Sequence, residues 1–457
     1  GAALVWPTAT PLDSVVPGFA LFELGLIDLI LVLGGTAAVA IACRGPASGA
    51  RTALVTGRRS FRPRPGPGQH VVAMASRYPV GSVGGVERVA TALAARLDGH
   101  DGAWLAAPVS AFAGPRGLAR LPFIGDLVAA LVLALRTVRL GDVLVVHGAE
   151  YAWAPLAVGR LTRRPTVVVW HGVRALEALP PSKIVVVRLA HSLFGWASGR
   201  LQGVALSAGS TVAVSPTVAL EIRREFSFAG RIDVIPNGVS LPDEQVRAAS
   251  LGARVKGHGA QPKSRQLRAV WIGTSAYRKG LDIALAAVAR ARSCGLDVSL
   301  TVIGLEGRGA GQGAPAPASS GVAYAGRVAP EEVGRVLAQS DVLLSPTRYE
   351  PFGMAVFEAL ALGLPVIGSP AIAWQVGPAG EIVADEDPEQ YRAALARLAK
   401  PEARARLARL ALERARQFSW EAAVASYCRV LDEAVATRPS RTVLAGPDPA
   451  MVSRDAG

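Results

Sequence analysis

Two glutamates, Glu350 and Glu358, stand eight positions apart in the stretch Ser345-Pro-Thr-Arg-Tyr-Glu-Pro-Phe-Gly-Met-Ala-Val-Phe-Glu-Ala-Leu-Ala-Leu-Gly-Leu-Pro-Val-Ile-Gly368. Carboxylates accept hydrogen bonds from paired hydroxyls, such as those of a sugar or a ribose. The elements that must present them can be read around the motif. Residues 341–344 form a short apolar strand, Glu350-Pro-Phe-Gly353 a turn with Pro351 suited to the first position of a helix, and 355–362 a helix stopped by Gly363. Pro365-Val-Ile leads into the next strand. The helix is apolar on every face and is therefore expected to be buried. Glu358 is then an anomaly, because an unpaired buried carboxylate costs on the order of several kcal/mol. Something must take up its charge, and a sugar diol would serve. The helix N-terminus, with free amides from Phe352 and Gly353, offers an anion site. Two carboxylates around a phosphate-binding helix end suggest a pocket for a nucleotide-sugar.

Other residues could serve the same chemistry. Gly84-Gly85-Val-Glu-Arg88 opens a helix after the first strand, where glycines let backbone approach a ligand and the helix start favours phosphate. Gly273-Thr-Ser-Ala-Tyr-Arg278-Lys279-Gly280 places two cations after a later strand, and charge-assisted contacts to phosphate are among the stronger polar interactions. His171 closes the strand Thr166-Val-Val-Val-Trp, at the strand end where ligands collect in open α/β sheets. A lone histidine there is otherwise a hydrogen-bonded structural residue, and His147-Gly148 reads as structural. Asp385-Glu-Asp387 has the acids of a metal-binding motif, but Asp387-Pro-Glu is a helix N-cap with an acidic first turn, and capping is the assignment.

The Glu350–Glu358 spacing resembles the E-x7-E signature of family-4 glycosyltransferases of the GT-B fold, with further matches from Val71 to about Val435, roughly four-fifths of the chain. The resemblance implies an α/β protein of two Rossmann-like parallel-sheet domains facing a central cleft, with a C-terminal helix crossing back to the N-terminal domain. It implies a retaining hexosyltransferase that moves a sugar from a nucleoside diphosphate donor to a glycan, lipid-linked or small-molecule acceptor. By the same resemblance Glu350 contacts donor-sugar hydroxyls, Glu358 the ribose and Lys279 the diphosphate. His171 lies near donor sugar and acceptor, Arg327 approaches the base, and Gly84, Gly85, Arg278, Phe352 and Gly353 complete the donor site. Glu350, His171 and Lys279 are the residues expected to matter for turnover, with the leaving phosphate helping to deprotonate the acceptor. No cofactor and no metal is expected, since this lineage neutralises the diphosphate with side chains and helix dipoles. Two departures stand out. Thr274 replaces the usual arginine, and Pro-Ala-Ile-Ala-Trp374 after Ser369 replaces the usual Gly-Gly-x-Pro-Glu loop. They keep alive a non-catalytic, membrane-tethered nucleotide-sugar-binding protein, beside a nucleotide-sugar epimerase of the same fold. A dinucleotide oxidoreductase is remote, because no G-x-G-x-x-G follows the first strand.

At 457 residues the chain exceeds one core, and its domains are expected at 67–239 and 267–418, joined by a linker at 240–266, with a crossover helix at 419–436 and a disordered tail at 437–457. The second half has strands at 269–272, 299–303 and 322–324, a helix at 280–293, and one charged helix at 388–417. Net charge is +14, yet only five of the 49 basic residues are lysines. A basic surface suits anionic membranes or phosphorylated substrates, and no aromatic-interleaved basic cluster speaks for nucleic acid. Three scattered cysteines exclude a disulfide framework or a metal cage and suggest a reducing, cytoplasmic setting. Within the N-terminal segment 1–66, residues 24–43 are long and apolar enough to span a bilayer and six arginines follow at 44–64, which would leave the globular part on the cytoplasmic face.

Overall fold

A computed structural model describes residues 65–437, apart from 66–67, 79–84, 99–102, 113–121, 178–184, 243, 245–265 and 306–320. Apolar runs such as Val143-Leu-Val-Val-His147 and Thr166-Val-Val-Val-Trp170 offer no polar face to water, and every residue in them is buried. They belong to β1 (His70–Ser76), β2 (Trp104–Ser110), β3 (Val143–His147), β4 (Thr166–Trp170), β5 (Ser210–Ala213) and β6 (Asp233–Val234). Between them lie α1 (Gly85–Leu97), α2 (Pro122–Thr137), α3 (Trp153–Leu161), α4 (Val185–Ala205) and α5 (Pro216–Glu225). The strands pair parallel in the order β2-β1-β3-β4-β5-β6.

The second half repeats the plan with β7 (Leu267–Ile272), α6 (Leu281–Ser293), β8 (Val298–Ile303), β9 (Val322–Gly326), α7 (Pro330–Gln339), β10 (Val342–Ser345), α8 (Met354–Ala361), β11 (Val366–Gly368) and β12 (Gly380–Ile382). Three helices close the described chain: α9 (Pro388–Leu398), α10 (Pro401–Arg416) and α11 (Trp420–Ala436). This sheet is also parallel, in the order β12-β11-β10-β7-β8-β9. Strand order therefore reverses between β1 and β3 in one sheet and between β7 and β10 in the other. Crevices outside the carboxyl ends of the strands at such points are where open sheets bind ligands. β7 delivers the 273–280 loop to its crevice, and β10 delivers the Glu350 loop to the same one.

The two parallel α/β sheets and the returning helix are as expected. Ser419 caps α11 by accepting the Ala422 amide at 3.1 Å, and the helix packs on α1, β3 and β4 of the first half. The Val239 amide donates to the Phe418 carbonyl at 2.8 Å, and the Arg96 guanidinium lies 4.8 Å above the Trp420 ring.

Several local expectations need correction. The charged helix at 388–417 is two helices, because Pro401 lacks an amide and holds Lys400 extended. Pro351 is not helical: α8 begins at Met354, behind Gly353 in a left-handed conformation at φ 79°. Among the described residues no helix is long and apolar enough to cross a membrane. The segment 24–43, the arginines at 44–64, most of the linker 240–266, the loop 307–320 and residues 438–457 lie outside the described residues.

Candidate functional site

The Glu350 loop is pinned from several sides. The Arg348 amide and the Thr347 hydroxyl both donate to the Arg278 carbonyl, at 2.8 and 3.0 Å. Arg278 in turn donates to the Tyr349 carbonyl at 3.1 Å. The Arg348 guanidinium grips both oxygens of Asp282 at 2.9 and 2.8 Å and stacks 4.1 Å from the Tyr277 ring centre. Gln375, just after the segment replacing the usual glycine loop, donates to the Glu350 carbonyl at 3.3 Å. The 273–280 loop is equally constrained. Gly280 takes φ 66°, and a Cβ there would collide with the Pro346 carbonyl. A Cβ on Gly273 would lie 2.8 Å from Cγ of Lys279, so the absence of a side chain makes room for the lysine stem. Held this way, Lys279 and Glu350 form an ion pair with side chains only 15% and 9% exposed.

The first sheet meets this loop directly. His171, just past β4, shares a 3.1 Å hydrogen bond with His147 at the end of β3, Nε2 to Nδ1. Burial lowers His171 to about 4, and burial together with the charge of His171 holds His147 well below the ordinary histidine value. Both rings are therefore neutral at pH 7, and His147 is structural in a specific sense: it orients His171. Gly172 at φ 148° abuts Pro351, where a Cβ would lie 2.8 Å from Cγ. The Val173 amide donates to the Tyr349 hydroxyl at 2.8 Å, and that hydroxyl lies 3.0 Å from Glu221. Ser215, the N-cap of α5, donates to the Pro351 carbonyl at 2.7 Å. Tyr349-Glu350-Pro351 thus rests on His171-Gly172-Val173. Burial raises Glu221 to about 7, against the hydrogen bond from Tyr349.

Glu358 differs from expectation. It is not buried but 26% exposed, and its charge is met by Arg88 of α1 at 2.5 Å, a contact from the other half of the chain. The helix is apolar in sequence, yet only part of its circumference is covered. Phe352 turns its ring into an aromatic cluster, 4.7 Å from Phe357, which itself lies 4.4 Å from Phe418. Phe352 thus keeps only its backbone for any ligand, at a helix start whose first amides lack partners inside the helix. Gly85 is the exposed first residue of α1, with open space where a Cβ would be, and Gly84 lies outside the described residues. Arg327 is exposed just after β9, and Thr274 is exposed just after β7. Asp387 caps α9, accepting the Glu389 amide at 2.9 Å, as the capping assignment required. Among the described residues no group of three or more His, Cys, Asp or Glu is placed to hold a metal ion.

Sequence reasoning missed a polar cluster on the same edge of the first sheet. Asp126 of α2, 2% exposed, pairs with Arg77 after β1 and lies 3.3 Å from Arg174 after β4. Arg174 also approaches Glu150 at 3.7 Å and Glu177 at 3.4 Å. Burial, then the charge of Glu150, pushes Asp126 up to about 7 against the pull of Arg174 and Arg77. One signal was available: Asp126 is the lone acid in the apolar helix Pro122–Thr137.

The family model described as glycosyltransferase family 4 matches residues 83–242, and that described as glycosyl transferases group 1 matches residues 266–400. The chain is 29% identical over 237 residues to a 2-deoxystreptamine glucosyltransferase of Streptomyces kanamyceticus, covering 49% of this chain and 58% of that protein. It is 34% identical over 206 residues to a D-inositol 3-phosphate glycosyltransferase of Segniliparus rotundus, covering 42% and 44% respectively. The chain thus spans about half the length of these relatives. In fold it is similar to the sucrose-phosphate synthase of Thermosynechococcus elongatus, with a TM-score of 0.63, 19% identity, and 80% of this chain and 100% of that one covered.

Proposed function

Because the chain belongs to the family-4 glycosyltransferases, we propose that it transfers a sugar from a nucleoside diphosphate sugar to an acceptor hydroxyl, with retention of anomeric configuration. The observation that carries this is the buried Lys279–Glu350 pair at the start of α8, set against His171-Gly172 of the facing sheet. A diphosphate placed at the helix start gains the Lys279 ammonium and the partner-less amides of α8. Lysine then turns from Glu350 toward phosphate, and Glu350 is released to accept hydroxyls of the donor sugar. Glu358 serves the ribose, and Arg327 lies toward the base.

In the transfer, the bond from the anomeric carbon to the β-phosphate oxygen breaks while the acceptor oxygen bonds to the same face. The acceptor proton passes to the departing phosphate, which becomes the nucleoside diphosphate. His171, kept neutral, offers a hydrogen bond near the reacting centre without adding charge. No metal enters this scheme, since Lys279 and the helix start carry the neutralisation.

For the acceptor, the cluster of Arg77, Asp126, Glu150 and Arg174 supplies both donors and acceptors, which suits a polyhydroxylated molecule. The cyclitol compounds in the names of the two relatives fit that description, as does a glycan or lipid-linked sugar. Insertion of residues 24–43 would place a lipid-linked acceptor within reach, on the cytoplasmic face.

Thermal unfolding of the full chain with a panel of nucleoside diphosphate sugars tests the donor. A ligand at a hundred times its Kd stabilises the folded state by about 2.7 kcal/mol. One donor should raise the transition clearly, with free sugars inert. No shift with any nucleotide-sugar would overturn the proposal.

A further inference from the structure

We propose that Arg88 is a second cation of the donor clamp, held on Glu358 until the diphosphate arrives and then handed over to it. The proposal rests on the donor site argued above and concerns a residue which that site does not include.

The site's charges prompt the question. Among the described residues two ion pairs flank the start of α8, Lys279 with Glu350 and Arg88 with Glu358. A diphosphate brings about two further negative charges. Lysine alone does not balance them, and Thr274 stands exposed at the position where resemblance leads one to expect an arginine. Arg278 is the nearer candidate for the gap, but one of its N–H groups is held by the Tyr349 carbonyl at 3.1 Å, which ties it to the Glu350 loop.

Arg88 is placed to fill it. It lies three residues beyond Gly85, the first residue of α1, and Glu358 lies four beyond Met354, the first residue of α8. At 1.5 Å rise per residue these are steps of about 4.5 and about 6 Å from two helix starts that both suit phosphate. The pair therefore sits one turn from each of the phosphate-favouring ends. Its arginine is 47% exposed, so the side chain is free to swing, and an exposed ion pair is worth little enough to be exchanged. A guanidinium matches phosphate oxygens in a bidentate way, which favours the exchange. Once Arg88 has moved, Glu358 is free for ribose hydroxyls, so one side-chain movement prepares both contacts.

The experiment uses calorimetry on the full chain. UDP, GDP, ADP and dTDP are titrated, and the one that binds the parent most tightly is compared with its own nucleoside. Arg88→Ala should weaken the diphosphate about tenfold or more and the nucleoside by less than about twofold, as expected for loss of a charge-assisted contact. Thr274→Arg in the Arg88→Ala background should recover most of the loss by returning a cation from the other side. Arg88→Lys should fall between parent and alanine variant. Far-UV circular dichroism and the melting transition confirm that the variants fold. Unchanged diphosphate binding in Arg88→Ala, or an equal loss for diphosphate and nucleoside, overturns the role of Arg88 while leaving the donor site standing. Tighter binding in Arg88→Ala would mean that Arg88 only blocks Glu358, which also overturns it. If no diphosphate binds the parent, the donor site itself falls and this inference with it.

Discussion

Lys279→Met removes the positive partner of a carboxylate that is only 9% exposed and leaves the aliphatic stem in place beside Gly273. Exposed ion pairs contribute about 0–1 kcal/mol, whereas removing one partner of a buried pair costs about 3–5 kcal/mol. With side chains 15% and 9% exposed, the Lys279–Glu350 pair lies near the buried limit. Some discount for its solvent edge gives about 2–4 kcal/mol. For a domain of this size, 1 kcal/mol moves the melting temperature by about 2–4 °C, so a loss of roughly 5–15 °C is expected without ligand. The assay is a thermal cycle of the parent, Lys279→Met, Glu350→Gln and the double variant. Each single change should destabilise, and the double should be at least about 1 kcal/mol more stable than the sum predicts, because the two groups are in contact. A Lys279→Met protein that melts with the parent, or strictly additive changes, would refute the pairing as the organising contact of the site.

Other expectations follow from the same geometry. Burial raises Glu221 from 4.5 to about 7, so the folded chain binds a proton that the unfolded chain lacks; its contribution is full at low pH and is lost as pH rises toward about 7. Glu221→Gln should flatten that slope in melting curves, and an unaltered slope counts against the carboxyl. His171 pulls the other way, since a value lowered from 6.5 to about 4 costs stability as pH falls through that window. Gly172→Ala combines φ 148° with a Cβ 2.8 Å from Pro351, and should cost about 1–3 kcal/mol in thermal unfolding; a melting temperature equal to the parent's would show that this contact is not made. Residues 24–43 contain ten Leu, Ile or Val residues and one aspartate, Asp28, near one end, so the full chain should sediment with membranes. Recovery wholly in the soluble fraction at low salt would exclude the anchor.

The strands buried on both faces showed most plainly in the sequence. Val143–His147 and Thr166–Trp170 are mostly apolar buried runs, Ala269–Ile272 is the apolar part of β7, and the parallel βα rhythm follows from them. Trp104–Ser110 escaped because it is rich in alanine and interrupted by Pro108, and Gly380–Ile382 because three residues carry no periodicity. In the candidate site the cap at Asp387 was readable, and two residues that the sequence singled out separately, Lys279 and Glu350, meet in the structure. What was not readable is pairing at a distance. Glu358 looked stranded on an apolar helix, and its partner Arg88 lies 270 positions away. His147 looked incidental until the sheet set β3 beside β4. The Asp126 cluster draws arginines from the ends of two strands that only the sheet order brings together.

The most direct test is the transfer itself, followed by nuclear magnetic resonance with the α-linked donor identified by thermal stabilisation and a small polyol acceptor, in the presence of chelator. Nucleoside diphosphate and an α-linked product should appear together, and Glu350→Ala protein that remains folded should turn over about a hundredfold more slowly. A β-linked product, or a Glu350→Ala variant as fast as the parent, would contradict retaining transfer at this site.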